Sequence, residues 1–157
     1  MIKSIRSLSL AVVALLASAE IGTRAQDISI VGTWEIVEMA PAPWTKEDDH
    51  KALMAQGRGL LKLAITFAPN NVTSKFKLFQ CKRGVSYEHG PLQVDSLFQG
   101  NLPEPNPTAH ALRLGFPRGD IPSADVRCVN ASFSFHFRDR NTALFALNNV
   151  IYTLKRR

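Results

Sequence analysis

Chemistry in this chain has to come from few side chains: the histidines His50, His89, His110 and His136, the cysteines Cys81 and Cys128, and the acidic run Glu47, Asp48 and Asp49. The four histidines are spread over 86 positions, and none has metal-ligand spacing to another. Glu47 and His50 stand three apart, with no second pair to complete a metal site. Asp48 and Asp49 are neighbours; on a helix they point about 100° apart and cannot flank one scissile bond. There is no G-x-S-x-G nucleophile elbow and no glycine-rich phosphate loop. A Cys–His nucleophile is lost if Cys81 and Cys128 bond to each other. The residues therefore assign no catalytic group, no metal and no cofactor, and the expectation is a protein that is not an enzyme. His136 alternates with a row of phenylalanines and is expected to point outward, as a binding-face candidate.

The elements that would position these groups begin after an export signal. Lys3 and Arg6 precede an apolar run over residues 8–17, followed by Ala17-Ser18-Ala19 and by Thr23-Arg24-Ala25. Basic, apolar and small residues in that order form a secretory signal peptide, with cleavage after residue 19 or 25. The apolar run is too short to span a bilayer, which needs about 20 residues. No cysteine lies at the cleavage sites, so no lipid anchor is expected. Residues 26–157 are then one domain, periplasmic or secreted. The net charge of +6 falls to +4, because residues 1–25 carry Lys3, Arg6 and Arg24 against Glu20. That modest excess is no footprint for nucleic acid. With 45% hydrophobic and 20% charged residues, the chain is neither a disordered tail nor a multi-span membrane protein.

Export places Cys81 and Cys128 in an oxidising compartment, where a pair normally bonds; free thiols or a metal pair are the rival readings. Closing that loop stabilises a fold by about 4 kcal/mol on chain-entropy grounds. The sequons at Asn71-Val72-Thr73 and Asn130-Ala131-Ser132 read as turn residues of an unglycosylated protein.

Residues 28–39 alternate with a period of two, and Pro41 and Pro43 end the strand. One short helix follows over residues 45–56, with Thr45 as N-cap, Asp48 in a capping-box position and Gly57 or Gly59 as its stop. Further strands are read over 60–67, 72–81, 85–88, 92–98, 111–116 and 126–138. In the last of these Phe133, Phe135 and Phe137 face one way. Asn70-Asn71 is read as a hairpin turn, and residues 101–107 and 117–125 as loops. The strands 142–147 and 150–155 flank Asn148-Asn149, a favoured two-residue turn. The fold class is all-β: an antiparallel barrel of eight or nine strands with one short helix after the first.

Gly32-Thr33-Trp34 on the first strand resembles the opening signature of the lipocalins and the wider calycin barrels. The resemblance implies that Trp34 covers one end of the barrel and that a base near the end of the last strand, Arg156 or Lys155, packs across it. The plan as a whole is similar to small bacterial lipocalin-like secreted proteins: signal peptide, G-x-W strand, short helix, two cysteines and a closing hairpin. The T-D-Y motif and the C-terminal helix of true lipocalins are missing. By this resemblance the protein binds a small apolar ligand at the barrel mouth; Trp44, Met54 and His136 are the candidate ligand-binding residues. The alternative is an inhibitor or immunity factor that grips a secreted hydrolase with loops on a disulfide-stapled barrel. The phenylalanine row decides between them. Three inward rings fill much of an eight-stranded barrel, leaving a shallow mouth near residues 45–56.

Overall fold

Alternation in β1 (Gly32–Pro41) buries Trp34 and Ile36 on one face and leaves Val37 and Glu38 wet beyond a bulge between Ile36 and Glu38. This strand opens the sheet in a computed structural model that describes residues 28–92, 97–98, 107–129 and 131–157. The signal segment 1–25, the loop at 101–106 and Asn130 lie outside the described residues. Seven further strands follow: β2 (Ala64–Ala68), β3 (Asn71–Ser74), β4 (Ser86–Leu92), β5 (Ile121–Cys128), β6 (Ala131–Asp139), β7 (Thr142–Leu147) and β8 (Val150–Arg156). All pairings are antiparallel, in the order β3-β2-β1-β8-β7-β6-β5-β4. The hairpin between β7 and β8 turns through Asn148 and Asn149, both with positive φ, which asparagine tolerates.

The sheet curls on itself. Phe67 on β2 and Phe135 on β6 are four strands apart, or about 19 Å across a flat sheet. Their rings lie 5.2 Å apart in an edge-to-face contact. The edge strands β3 and β4 approach each other, and the gap is stitched. The Tyr87 hydroxyl donates to the Ala68 carbonyl at 2.7 Å. Cys81, which pairs with Val72 through two backbone bonds, is disulfide-bonded to Cys128 at the end of β5. Covered edges do not recruit strands from other chains.

Inside the curl, seven aromatic rings belong to one buried cluster: Trp34, Phe67, Phe79, Phe135, Phe137, Phe145 and Tyr152. A second cluster lies on the outer face, where Ala42, Leu97, Phe98, Ala111 and Phe116 cover Ile121, Leu144 and Ile151. Both faces of β7 and β8 are therefore packed, so residues 142–145 and 150–154 are buried without interruption.

Several local expectations are corrected, among them the loop at 117–125 and the single strand at 126–138, a stretch that holds most of β5 (Ile121–Cys128) and β6 (Ala131–Asp139). Residues 111–116 are not a strand. Helix α2 (Pro107–Arg113) ends there, with Gly115 at φ +81° and paired bonds from Gly115 to Leu112 and from Phe116 to Ala111. That is a Schellman stop, and Pro107 at the first turn is the matching start. Leu112 and Leu114 thus face no barrel interior, and Leu112 is exposed. Helix α1 (His50–Gly57) is entered through a 3-10 turn at Glu47–Asp49. Thr45 does not cap it, because its hydroxyl donates backwards to the Ala42 carbonyl. The strand read over 72–81 stops at Ser74 and gives way to a 3-10 turn at Lys77–Phe79, which buries Phe79 but exposes Phe76 and Leu78. His89-Gly90-Pro91 does not interrupt a strand. β4 runs through it, and Pro91 is tolerated because β4 is an edge.

Candidate functional site

One end of the curl is sealed. Trp34 has no solvent exposure, and its indole N–H donates to the Ile30 carbonyl at 2.7 Å. The Arg156 guanidinium lies 4.4 Å from the centre of the indole ring. The same group donates to the carbonyls of Val31 (2.8 Å) and Ser29. Gly32 is required twice. Its φ is +134°, and a Cβ there would meet Arg156 Nη1 at 2.6 Å. Gly32, Trp34 and Arg156 therefore form a structural latch, satisfied within the protein and closed to solutes.

The opposite end holds the open site. Helix α1 lies against β1 and β8, and Gly57 lets it come close: a Cβ there would stand 2.8 Å from the Tyr152 hydroxyl and 3.1 Å from Met39 Sδ. Helix and 3-10 turn leave a cleft of about 200 Å³ between them. Its apolar walls are Leu60, Phe76, Leu78, Leu147 and Val150, with Gln56, Asn148 and Tyr152 as the polar groups. Burial pushes the Tyr152 phenol above its ordinary pKa. Phe76 and Leu78 are 43% and 41% exposed, unusual for residues so apolar. Sequence reasoning placed a mouth near this helix but missed these residues. They converge from positions 56–60, 76–78 and 147–152, which no local pattern connects.

The three residues expected at a ligand site are not brought together. Trp44 packs on the outer cluster, with its ring edge-on to Phe98 at 6.1 Å and its N–H on Asn149 Oδ1 at 2.8 Å. Met54 is half-buried on α1 and does not line the cleft. His136 does point to the outer face, opposite Ser123 and Leu144, but is only 1% exposed because the outer cluster covers that face. It offers no binding surface. Desolvation lowers its pKa to about 4, against the opposing pull of Asp125.

Ser123, Asp125, Ser134 and His136 share that outer face and carry the residue types of a hydrolytic triad. The hydrogen bonds are wrong for one. Ser123 donates its proton to the Ile121 carbonyl at 2.9 Å, and Ser134 donates to Asp125 at 2.5 Å. Ser123 is 4% exposed and its hydroxyl is aimed at backbone. Glu88 and Asp125 also face each other across β4 and β5, but Arg127 spans them at 2.9 and 4.0 Å. Among the described residues no three His, Cys, Asp or Glu side chains converge as metal ligands, and no helix is long and apolar enough to cross a membrane.

Fold and site define an antiparallel eight-stranded curled sheet, sealed at one end by a Trp–Arg latch, stapled by a disulfide and left with a small apolar mouth. Compared with known protein families, curated proteins and solved structures, the chain finds no match.

Proposed function

We propose that this chain is an exported, non-enzymatic protein-binding module of lipocalin-like type, an inhibitor or immunity factor rather than a carrier of apolar molecules. The observation that carries this reading is the filled interior. Phe135 touches Phe67 at 5.2 Å and Phe145 at 5.4 Å, and Phe145 touches Phe79 at 5.6 Å and stacks on Tyr152 at 5.1 Å. A drug-sized ligand needs roughly 300–1,000 Å³ of pocket. The mouth offers about 200 Å³, the basin of about 640 Å³ beside it is a shallow surface depression rather than an enclosed pocket, and aromatic rings occupy the space beneath. The latch of Gly32, Trp34 and Arg156 supports the lipocalin-like part of the reading, and the disulfide supports export. Binding by a filled scaffold falls to its loops and exposed apolar side chains.

The experiment has two arms on protein purified from its native host. In one, the protein is immobilised and presented with the host's secreted fraction, and retained proteins are identified by mass spectrometry. In the other, the purified protein is denatured and its organic extract is measured. A protein held in stoichiometric amount, with no stoichiometric small molecule, is the expected result. A stoichiometric apolar molecule with no retained protein overturns the reading and restores the carrier.

A further inference from the structure

Residues 50–87 hold seven lysines and arginines and no aspartate or glutamate. The rest of residues 26–157 holds nine basic and twelve acidic residues, so the charge of the domain is segregated along the chain. All seven cations are exposed, and none is in an ion pair among the described residues. The segment folds to build the mouth. Gln56 to Leu60 form one wall, and Phe76 and Leu78 form the other. Lys77, Lys82 and Arg83 also rim a wider, shallower basin of about 640 Å³ that adjoins the cleft at Leu78 and runs past the disulfide to Val129, which is 78% exposed.

Three features therefore coincide: a cleft with the capacity of one large side chain, exposed apolar residues beside it, and Lys77, Lys82 and Arg83 along the adjoining basin, in no ion pair among the described residues. We propose that this face docks an acidic segment of a partner protein, with one large apolar side chain in the mouth cleft and flanking carboxylates on Lys75, Lys77, Lys82 and Arg83. The proposal rests on the protein-binding reading and adds the place and the partner's chemistry. A buried aromatic anchor inside a polar rim is how interfaces concentrate their binding energy. Cations around it speed encounter and select against basic partners. A single-stranded nucleic acid is the less fitting occupant. It stacks its bases on a row of aromatic rings, and Phe76 is the one exposed aromatic among the described residues of this face.

The test is chemical-shift mapping on the uniformly 15N-labelled, oxidised protein. The probes are a short peptide with a central tryptophan flanked on both sides by aspartates and glutamates, the same peptide with alanine at its centre, its lysine-flanked counterpart, and a single-stranded oligonucleotide. The acidic tryptophan peptide is expected to shift the amides of residues 56–60, 75–83 and 147–152. Its affinity should fall at least about tenfold with central alanine, and again on raising salt. It should fall comparably in the double variant Lys77→Glu, Lys82→Glu and in Leu78→Asp, whose surface positions leave the dispersed spectrum intact. Shifts confined to another face would overturn this site while leaving the protein-binding reading standing. No shift with any peptide, equal binding of the lysine-flanked peptide, or binding of the oligonucleotide alone would each overturn the proposal. The reading beneath it is judged separately, by the capture arm above.

Discussion

Phe135→Ala tests whether the interior is as full as its ring contacts imply. Phe135 is fully buried between Phe67 and Phe145. Truncation removes roughly 100 Å³ of side chain, and at about 24 cal/mol per Å³ the unrelaxed cavity costs about 2.4 kcal/mol. The lost transfer of the ring adds about 2 kcal/mol, for a total of about 4 kcal/mol, within the usual range for buried Phe→Ala changes. For a domain of this size that lowers the melting temperature by roughly 10–20 °C. The assay is urea unfolding followed by tryptophan fluorescence, with the m-value required to stay unchanged. A second readout follows from the cavity. Space of this size lined by rings stays dry and takes up benzene or xenon. Wild type should bind neither in its interior, and Phe135→Ala should bind both. A cost below about 1 kcal/mol, or wild-type uptake of the probe beneath the mouth, would refute the packed interior and with it the case against a carrier.

Three further outcomes are expected. Gly32→Ala should lose about 1–3 kcal/mol from positive-φ strain and from displacing Arg156 off Trp34, read as lower stability together with a red-shifted tryptophan emission. Stability should fall with acid through His136. Its folded pKa is lowered to about 4 from 6.5, so the unfolded chain binds the proton first; stability is full above pH 6.5 and declines as pH falls towards 4. Across that window the loss is about 3 kcal/mol, and His136→Gln should flatten the profile between those limits. The oxidised protein should take up no thiol label at Cys81 or Cys128, and the double serine variant should lose about 4 kcal/mol in chemical denaturation.

What the sequence made legible was short-range. Gly32-Thr33-Trp34, the Asn148-Asn149 turn and the row of Phe133, Phe135 and Phe137 each lie within a few residues, and a period of two or a turn dipeptide reports them directly. The failures share one cause. Leu112, Leu114 and Phe116 alternate as a strand would, and that period of two concealed a helix that begins at Pro107 and stops at Gly115. Lys75-Phe76-Lys77-Leu78 alternates equally well, yet a 3-10 turn sets Phe79 inward and leaves Phe76 and Leu78 outside. For His136 the period gave the correct side of the strand. It carried no information on whether another layer covers that side, because the cover comes from Leu97, Phe98 and α2. The place of the mouth beside the helix was legible, but its walls at 76–78 and 147–152 were not, since they meet only after the sheet has curled.

The segment that builds the mouth is also held more tightly than a surface loop need be. Cys81 is fixed by two backbone bonds to Val72 and by the disulfide to Cys128. Two residues earlier, Phe79 is buried against Phe133 at 5.0 Å and Phe145 at 5.6 Å, and it carries Phe76 on its other side at 5.9 Å. The exposed Phe76 and Leu78 thus stand on a base that belongs to the core. A face anchored in this way loses little conformational entropy when a partner lands on it, and that entropy is a large part of what association costs. The same anchoring accounts for exposed apolar side chains persisting on a domain with interior space for neither. The rings inside fix the scaffold, the disulfide fixes the edge, and the residues left outside between those two constraints are the ones on which the proposed docking rests.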